Sequence, residues 1–169
     1  MPSTYTKLPA GKGFPILLSY YYLARKSKLD AVDEVKAELG DKVDILLDSG
    51  AFSAHTLGRP INFDEYMDYC NRKKDKLFGY VSLDVIFDPV TTMSNYRAML
   101  KNGLRPFPVH TRGSTRQDLE EMFASSELVM LGGLKGGTHG TDGLGDGNSE
   151  AVLDSLAVRN TVQRMKWVG

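Results

Sequence analysis

The chain of 169 residues is poor in the features that most quickly classify a protein. It has one cysteine, Cys70, so no disulfide can form within it and a reducing compartment is the expected setting. No apolar run approaches the roughly 18 residues needed to span a bilayer. The opening "MPSTYTKLPAGKG" lacks the apolar stretch of a secretory signal. A cytoplasmic location with no membrane partner is therefore expected. Charge of neither sign dominates: Lys plus Arg and Asp plus Glu both number 21, which argues against a strongly basic nucleic-acid binder. Arg105, Arg112 and Arg116 do cluster in sequence, a pattern read first as a solvated face. The first strand-to-helix turn also lacks G-x-G-x-x-G, which counts against a dinucleotide-binding sheet.

What is present is a rhythm. Short, almost continuously apolar runs occur at 15–23 (PILLSYYYL), 44–50 (DILLDSG), 78–86 (FGYVSLDVI), 106–110 (PFPVH) and 128–134 (LVMLGGL). Such runs suit parallel strands buried on both faces. Amphipathic segments with helix punctuation lie between them. One runs from Ser27 to Gly40, whose lack of Cβ suits a left-handed helix end; Asn62 with Glu65, and Ser114 with Gln117, resemble capping pairs. Asp88 before Pro89 reads as a cap with proline at the first helical position, and Gly103 closes that helix. Strand starts recur about every 22 to 34 residues, the length of a βα unit, which makes the chain α/β.

Asp48, Asp84, His110 and the Gly132-Gly133 pair each end or nearly end a separate apolar run, and parallel strands bring such ends to one rim, where barrel enzymes place their sites. A complete eight-unit barrel needs at least about 200 residues. The expected fold is thus an incomplete TIM (β/α) barrel of about five parallel strands over residues 1–135, either truncated or completed by another chain, as a homo- or hetero-oligomer. Residues 136–148, six of them glycine, read as a Gly-rich loop, and 149–169 as a C-terminal helix with Leu153, Leu156, Val162 and Met165 toward a core.

Each candidate group has a plainer reading. Asp48 could accept backbone N–H bonds at a turn, Phe52 could be core, and His110 could be a histidine satisfied in place. Asp84 is harder to dismiss, because an unpaired carboxylate inside an apolar run is costly. Taken together, two carboxylates at one rim would hold a donor-rich heterocycle. Their mutual repulsion would keep one protonated and able to act as an acid, and Phe52 would offer a ring to stack on.

These stretches resemble the queuine/archaeosine tRNA-guanine transglycosylase family, nearest its phage-borne, DNA-modifying branch. "LLDSGAFS" is similar to the family's Asp-Ser-Gly-Gly-Phe/Tyr-Gln segment, "VSLDVIFDP" to its second aspartate strand, "PFPVHTRG" to the strand bearing a glutamine and a glycine, and "LGGLKGG" to its Gly-Gly-Leu segment. The likeness covers about residues 15–137, in the family's order. It implies covalent base exchange on a base taken out of its stack, guanine or a 7-deazaguanine in tRNA or DNA. It also implies roles: Asp48 as acid/base, with Ser49 beside it in the substrate-binding turn, Phe52 stacking on the base and Asp84 reading its guanine-like edge. The backbone of Gly133 and Leu134 would bind the base's carbonyl side, and His110 stands in the glutamine's place. No cofactor is implied.

The chain also departs from the family. No segment matches the strand carrying the nucleophilic aspartate, since Asp142, Asp146 and Asp154 lie in glycine-rich or helical surroundings. The zinc-binding cysteines are absent, Ala51 replaces a glycine, and Ser53 replaces the motif's glutamine. Two further readings stay open: a non-catalytic base-binding or partner subunit, and a metal-dependent barrel hydrolase using Asp48, Asp84 and His110 as ligands.

Overall fold

The computed structural model describes residues 5–132. It is a mixed α/β structure of short parallel strands and helices in alternation. The first sheet orders β1 (Phe14–Ser19), β2 (Val43–Asp48) and β3 (Gly79–Tyr80); the second pairs β4 (Val109–His110) with β5 (Met130–Leu131). Every pairing is parallel, as the continuous apolar runs predict, with Leu17 beside Leu46, Leu47 beside Tyr80 and His110 beside Leu131. A parallel bridge between Val81 and Phe107 joins the two sheets, the Ser82 and Phe107 amides donating across it at 2.9 and 2.8 Å. Among the described residues the strands therefore follow one another in chain order and do not close into a barrel. The Gly-rich loop at 136–148 and the C-terminal helix at 149–169 lie outside the described residues.

Among the described residues six α-helices follow the strands: α1 (Tyr20–Arg25), α2 (Ala31–Leu39), α3 (Ala51–Thr56), α4 (Phe63–Lys73), α5 (Pro89–Lys101) and α6 (Arg116–Ser125). One apolar cluster gathers Val32 of α2, Tyr66, Tyr69 and Cys70 of α4, and Val43, Ile45 and Leu47 of β2. The odd-numbered positions of β2 are buried and the even ones half-buried, so Asp44, Leu46 and Asp48 share the face away from this cluster. A second cluster joins Met93 and Tyr96 of α5 to Leu119 and Met122 of α6 and to Val129. Buried among aromatic and aliphatic groups, the Cys70 thiol is pushed up to about 12, which leaves it a packing residue without thiolate reactivity.

Several boundaries differ from the sequence expectation. The apolar run 15–23 is not one strand: it bends at Ser19 into α1, because Tyr20 packs edge-on against Tyr66 (centroids 5.0 Å apart) and Tyr21 lies against Gly50. Tertiary packing overrides the extended preference of the Tyr-Tyr-Tyr run. Ser27, with φ of 52°, follows α1 in a left-handed turn, and α2 begins only at Ala31. The last helix is capped by Thr115 with Asp118 in a reciprocal capping box, one residue later than expected, because the Ser114 hydroxyl accepts the Thr111 amide in the preceding turn. Asn62 accepts from the Glu65 amide and Asp88 from the Thr91 amide, and Gly40 and Gly103 take left-handed positions, all as read from the sequence. In the arginine cluster read as a solvated face, Arg116 forms an exposed pair with Glu120 at 2.9 Å, and Arg105 donates to the Leu104 carbonyl at 2.6 Å.

Candidate functional site

The site is built where β2 ends. Strand pairing stops at Asp48, and the chain turns through Ser49 and Gly50 into α3. Gly50 has φ of 81°, and a Cβ placed there would lie 2.5 Å from Ser19 Oγ and from Tyr21 Cβ, so the turn needs glycine for both conformation and space. The Gly50 amide donates to Asp48 Oδ2 at 2.9 Å, and the Ala51 amide to Ser49 Oγ at 3.2 Å. Part of the plainer reading of Asp48 therefore holds, since one of its oxygens braces the turn.

Ser49 links this turn to the next strand. Fully buried, its hydroxyl donates to Asp84 Oδ1 at 3.2 Å. Burial raises the Asp48 carboxyl above its ordinary value, and the Gly50 and Ser49 amides counter that in part. Burial likewise raises Asp84, with the negative charge of Asp48 as a further cause and the Ser49 hydroxyl opposing. Two carboxyls, one ending β2 and one just beyond β3, are thus held near each other, both biased toward the protonated form. A protonated carboxyl can donate and an ionised one accept, so the pair can meet a ligand edge bearing donors and acceptors.

The other side of Asp84 is lined by the second sheet. A Cβ at Gly132 would lie 3.6 Å from Asp84 Oδ2, 2.8 Å from Val109 Cγ1 and 3.9 Å from Thr111 Cβ. Gly132 thus keeps the approach to the carboxylate open, while Val109 and Thr111 share its face. Alternation along β4 then sends His110 to the opposite face. There it is 8% exposed, its Nδ1 has no hydrogen-bond partner, and burial lowers its pKa against the pull of Asp118 on α6. The expectation that His110 joins the two aspartates is corrected: the strand register, shifted by one, puts Thr111 there instead. In a strand of two residues the sequence carries no signal that picks Thr111 over His110. Tyr66, also missed, lies fully buried within the field of both carboxylates, its hydroxyl donating to the Val81 carbonyl at 2.6 Å.

Phe52 is 55% exposed on α3, not part of the core. Gly133 and Leu134 lie outside the described residues. Asp88 is the cap of α5, with both oxygens engaged by Thr91. Among the described residues no three His, Cys, Asp or Glu side chains converge in a way that could hold a metal ion, and the set Asp48, Asp84 and His110 is split by the orientation of His110. Asp84, but not Asp48, also lines a cavity of about 360 Å³ beside α3. Among the described residues no helix is long and apolar enough to cross a membrane. Compared with protein-family models, curated proteins and solved structures, the chain matches none of them.

Proposed function

We propose that the chain is a base-binding, transglycosylase-like protein that holds guanine or a 7-deazaguanine of tRNA or DNA between Asp48 and Asp84, on an arc of a (β/α) barrel. The observation that carries this is the Ser49 bridge: a fully buried hydroxyl 3.2 Å from Asp84, in the turn that also positions Asp48. A guanine-like edge presents two adjacent N–H donors beside a carbonyl. An ionised Asp84 would accept from the donors, and Asp48, biased toward its protonated form, would give a proton to a departing base or take one from an entering base. The exposed Phe52 ring on the following helix is available for stacking on a flipped base. The unbroken chain order of the five parallel strands supports the barrel arc, because a doubly wound sheet reverses its strand order at the site. An oligomer would complete such an arc.

Exchange of the base needs a nucleophile at the sugar, and no segment corresponding to that strand is found in the sequence. That favours binding without transfer as the second reading. Radiolabelled guanine incubated with the full chain and either tRNA or duplex DNA separates the two. Incorporation lost in Asp48→Ala means transfer; 7-deazaguanine binding without incorporation means a binding subunit. In both cases Asp84→Ala is expected to weaken base binding by about tenfold to a hundredfold, the worth of one hydrogen bond to a charged group. Unchanged affinity in that variant, or no binding of either base, sinks the proposal.

A further inference from the structure

The cavity beside Asp84 has two kinds of wall. α3 presents Ala51, Ala54 and His55 on one face, one turn apart, and the segment Leu83–Ile86 supplies the other wall. Its interior is mainly apolar. At its mouth stand the exposed side chains of His55 and, from the following turn, Arg59 and Pro60. At about 360 Å³ it falls within the ordinary range of small-ligand sites.

The wall at 83–86 is preformed by α5. Thr92 Oγ1 accepts the Val85 amide at 2.8 Å, and Asn95 Nδ2 donates to the Leu83 carbonyl at 3.1 Å. This backbone is therefore held open without sheet partners on those groups. The next residue, Phe87, has φ of 64°, a left-handed conformation that costs an aromatic residue strain. Its ring is 57% exposed and meets the His55 ring edge-on, with centroids 5.5 Å apart. An exposed ring in a strained backbone adds little to the core, and strain of this kind concentrates at ligand clamps.

We propose that this cavity binds a nucleoside monophosphate, with the flat ring between α3 and Leu83–Ile86 and the phosphate on Arg59 and His55 at the mouth. The polarity follows from the charges: Asp84 would repel a phosphate, so the anion lies at the Arg59 end and the ring toward Asp84, among the apolar side chains of Ala51, Ala54, Leu83 and Ile86. A guanidinium forms a two-pronged contact with phosphate oxygens, and its exposed position leaves it able to turn toward them. The nucleotide can arrive free or as one residue of a strand. This site shares Asp84 with the proposed base site, but its anion end at Arg59 lies outside that site and Asp48 is not among its walls.

Thymidine 5′-monophosphate is a suitable probe, because its ring lacks the paired-donor edge that Asp48 and Asp84 are proposed to read. Calorimetric titration of the full chain is expected to show one site, with affinity at least tenfold above that for inorganic phosphate. Arg59→Gln, an exposed change that leaves the core untouched, is expected to lower that affinity tenfold or more. Ala54→Trp, which fills the cavity, is expected to abolish it. Thymidylate binding no better than phosphate, or undiminished in Arg59→Gln, overturns the proposal. Binding of a thymidylate pentamer at least tenfold tighter than the monomer identifies a strand residue as the ligand; equal or weaker binding identifies the free nucleotide. Retained thymidylate binding with no 7-deazaguanine binding would remove the base site and leave this one standing.

Discussion

Asp84 shows how a single residue can serve a site at the expense of the fold. Its carboxyl is raised above the ordinary value of 3.8, first by burial and then by Asp48, so the folded state holds this proton to higher pH than the unfolded chain. Stability from that proton is fully present below pH 3.8 and is lost as the pH climbs through the raised value. Asp84→Asn keeps an oxygen to accept from Ser49 and removes the charge. Thermal denaturation is expected to give the variant a higher Tm than the parent at pH 7, the gap narrowing toward zero near pH 3; a lower Tm at pH 7 would show that the charge is compensated. Both aspartates were legible in the sequence because a carboxylate ending or interrupting an apolar run is costly unless it is used. His110 was misread for a reason equally local: in a strand of two residues one step of register changes the face, and neighbouring residues alone do not reveal the register.

At the level of elements, signals that act over three or four residues were the readable ones. The Asn62 and Asp88 caps and the glycines ending helices depend on side chains and backbone that are adjacent in the chain. Strand limits were not readable in the same way. The run 78–86 pairs as a ladder only at Gly79–Tyr80, with Val81 forming a single bridge beyond it, and 83–87 is held instead by side chains of α5. Gly79 is the element's critical position. A Cβ there would lie 2.2 Å from Phe107 Cε2, so the ring that joins the second sheet to the first rests on bare backbone. Gly79→Ala is expected to cost about 1–3 kcal/mol by overpacking. Urea denaturation should show that loss, and Phe107→Leu in the same chain should restore part of it. A Gly79→Ala variant as stable as the parent would mean that the ring moves aside freely.

Across the whole molecule the question is whether the two small sheets act as one unit. Among the described residues the backbone hydrogen bonds between them are few: the Ser82 amide to Phe107 and the Phe107 amide to Tyr80, which together make the single bridge at Val81. Around these, Phe107 and Leu104 are buried, and the Tyr80 hydroxyl accepts the Arg105 amide at 2.7 Å. Native-state hydrogen exchange is expected to find the Ser82 and Phe107 amides as protected as those within β2, the pattern of one cooperative unit. Faster exchange of Phe107 together with β4 and β5 would instead show the second sheet opening by itself. The opposite edge differs: Phe14 and Leu17 on β1 are 73% and 66% exposed. An edge of this kind agrees with a sheet that does not close among the described residues.

The α/β alternation, the parallel strands, Asp48 at a strand end and a buried Asp84 beyond the next strand were determined by the sequence, because apolar run length, helix punctuation and the cost of a buried charge all act on residues near one another in the chain. The tertiary structure alone decided that the Tyr20–Arg25 stretch is helical, that Thr111 and not His110 faces Asp84, and that Ser49 reaches across 35 positions to join the carboxylates. Each of these depends on the packing of one strand or helix against another distant in sequence, and such contacts settle register and face only once the elements have come together.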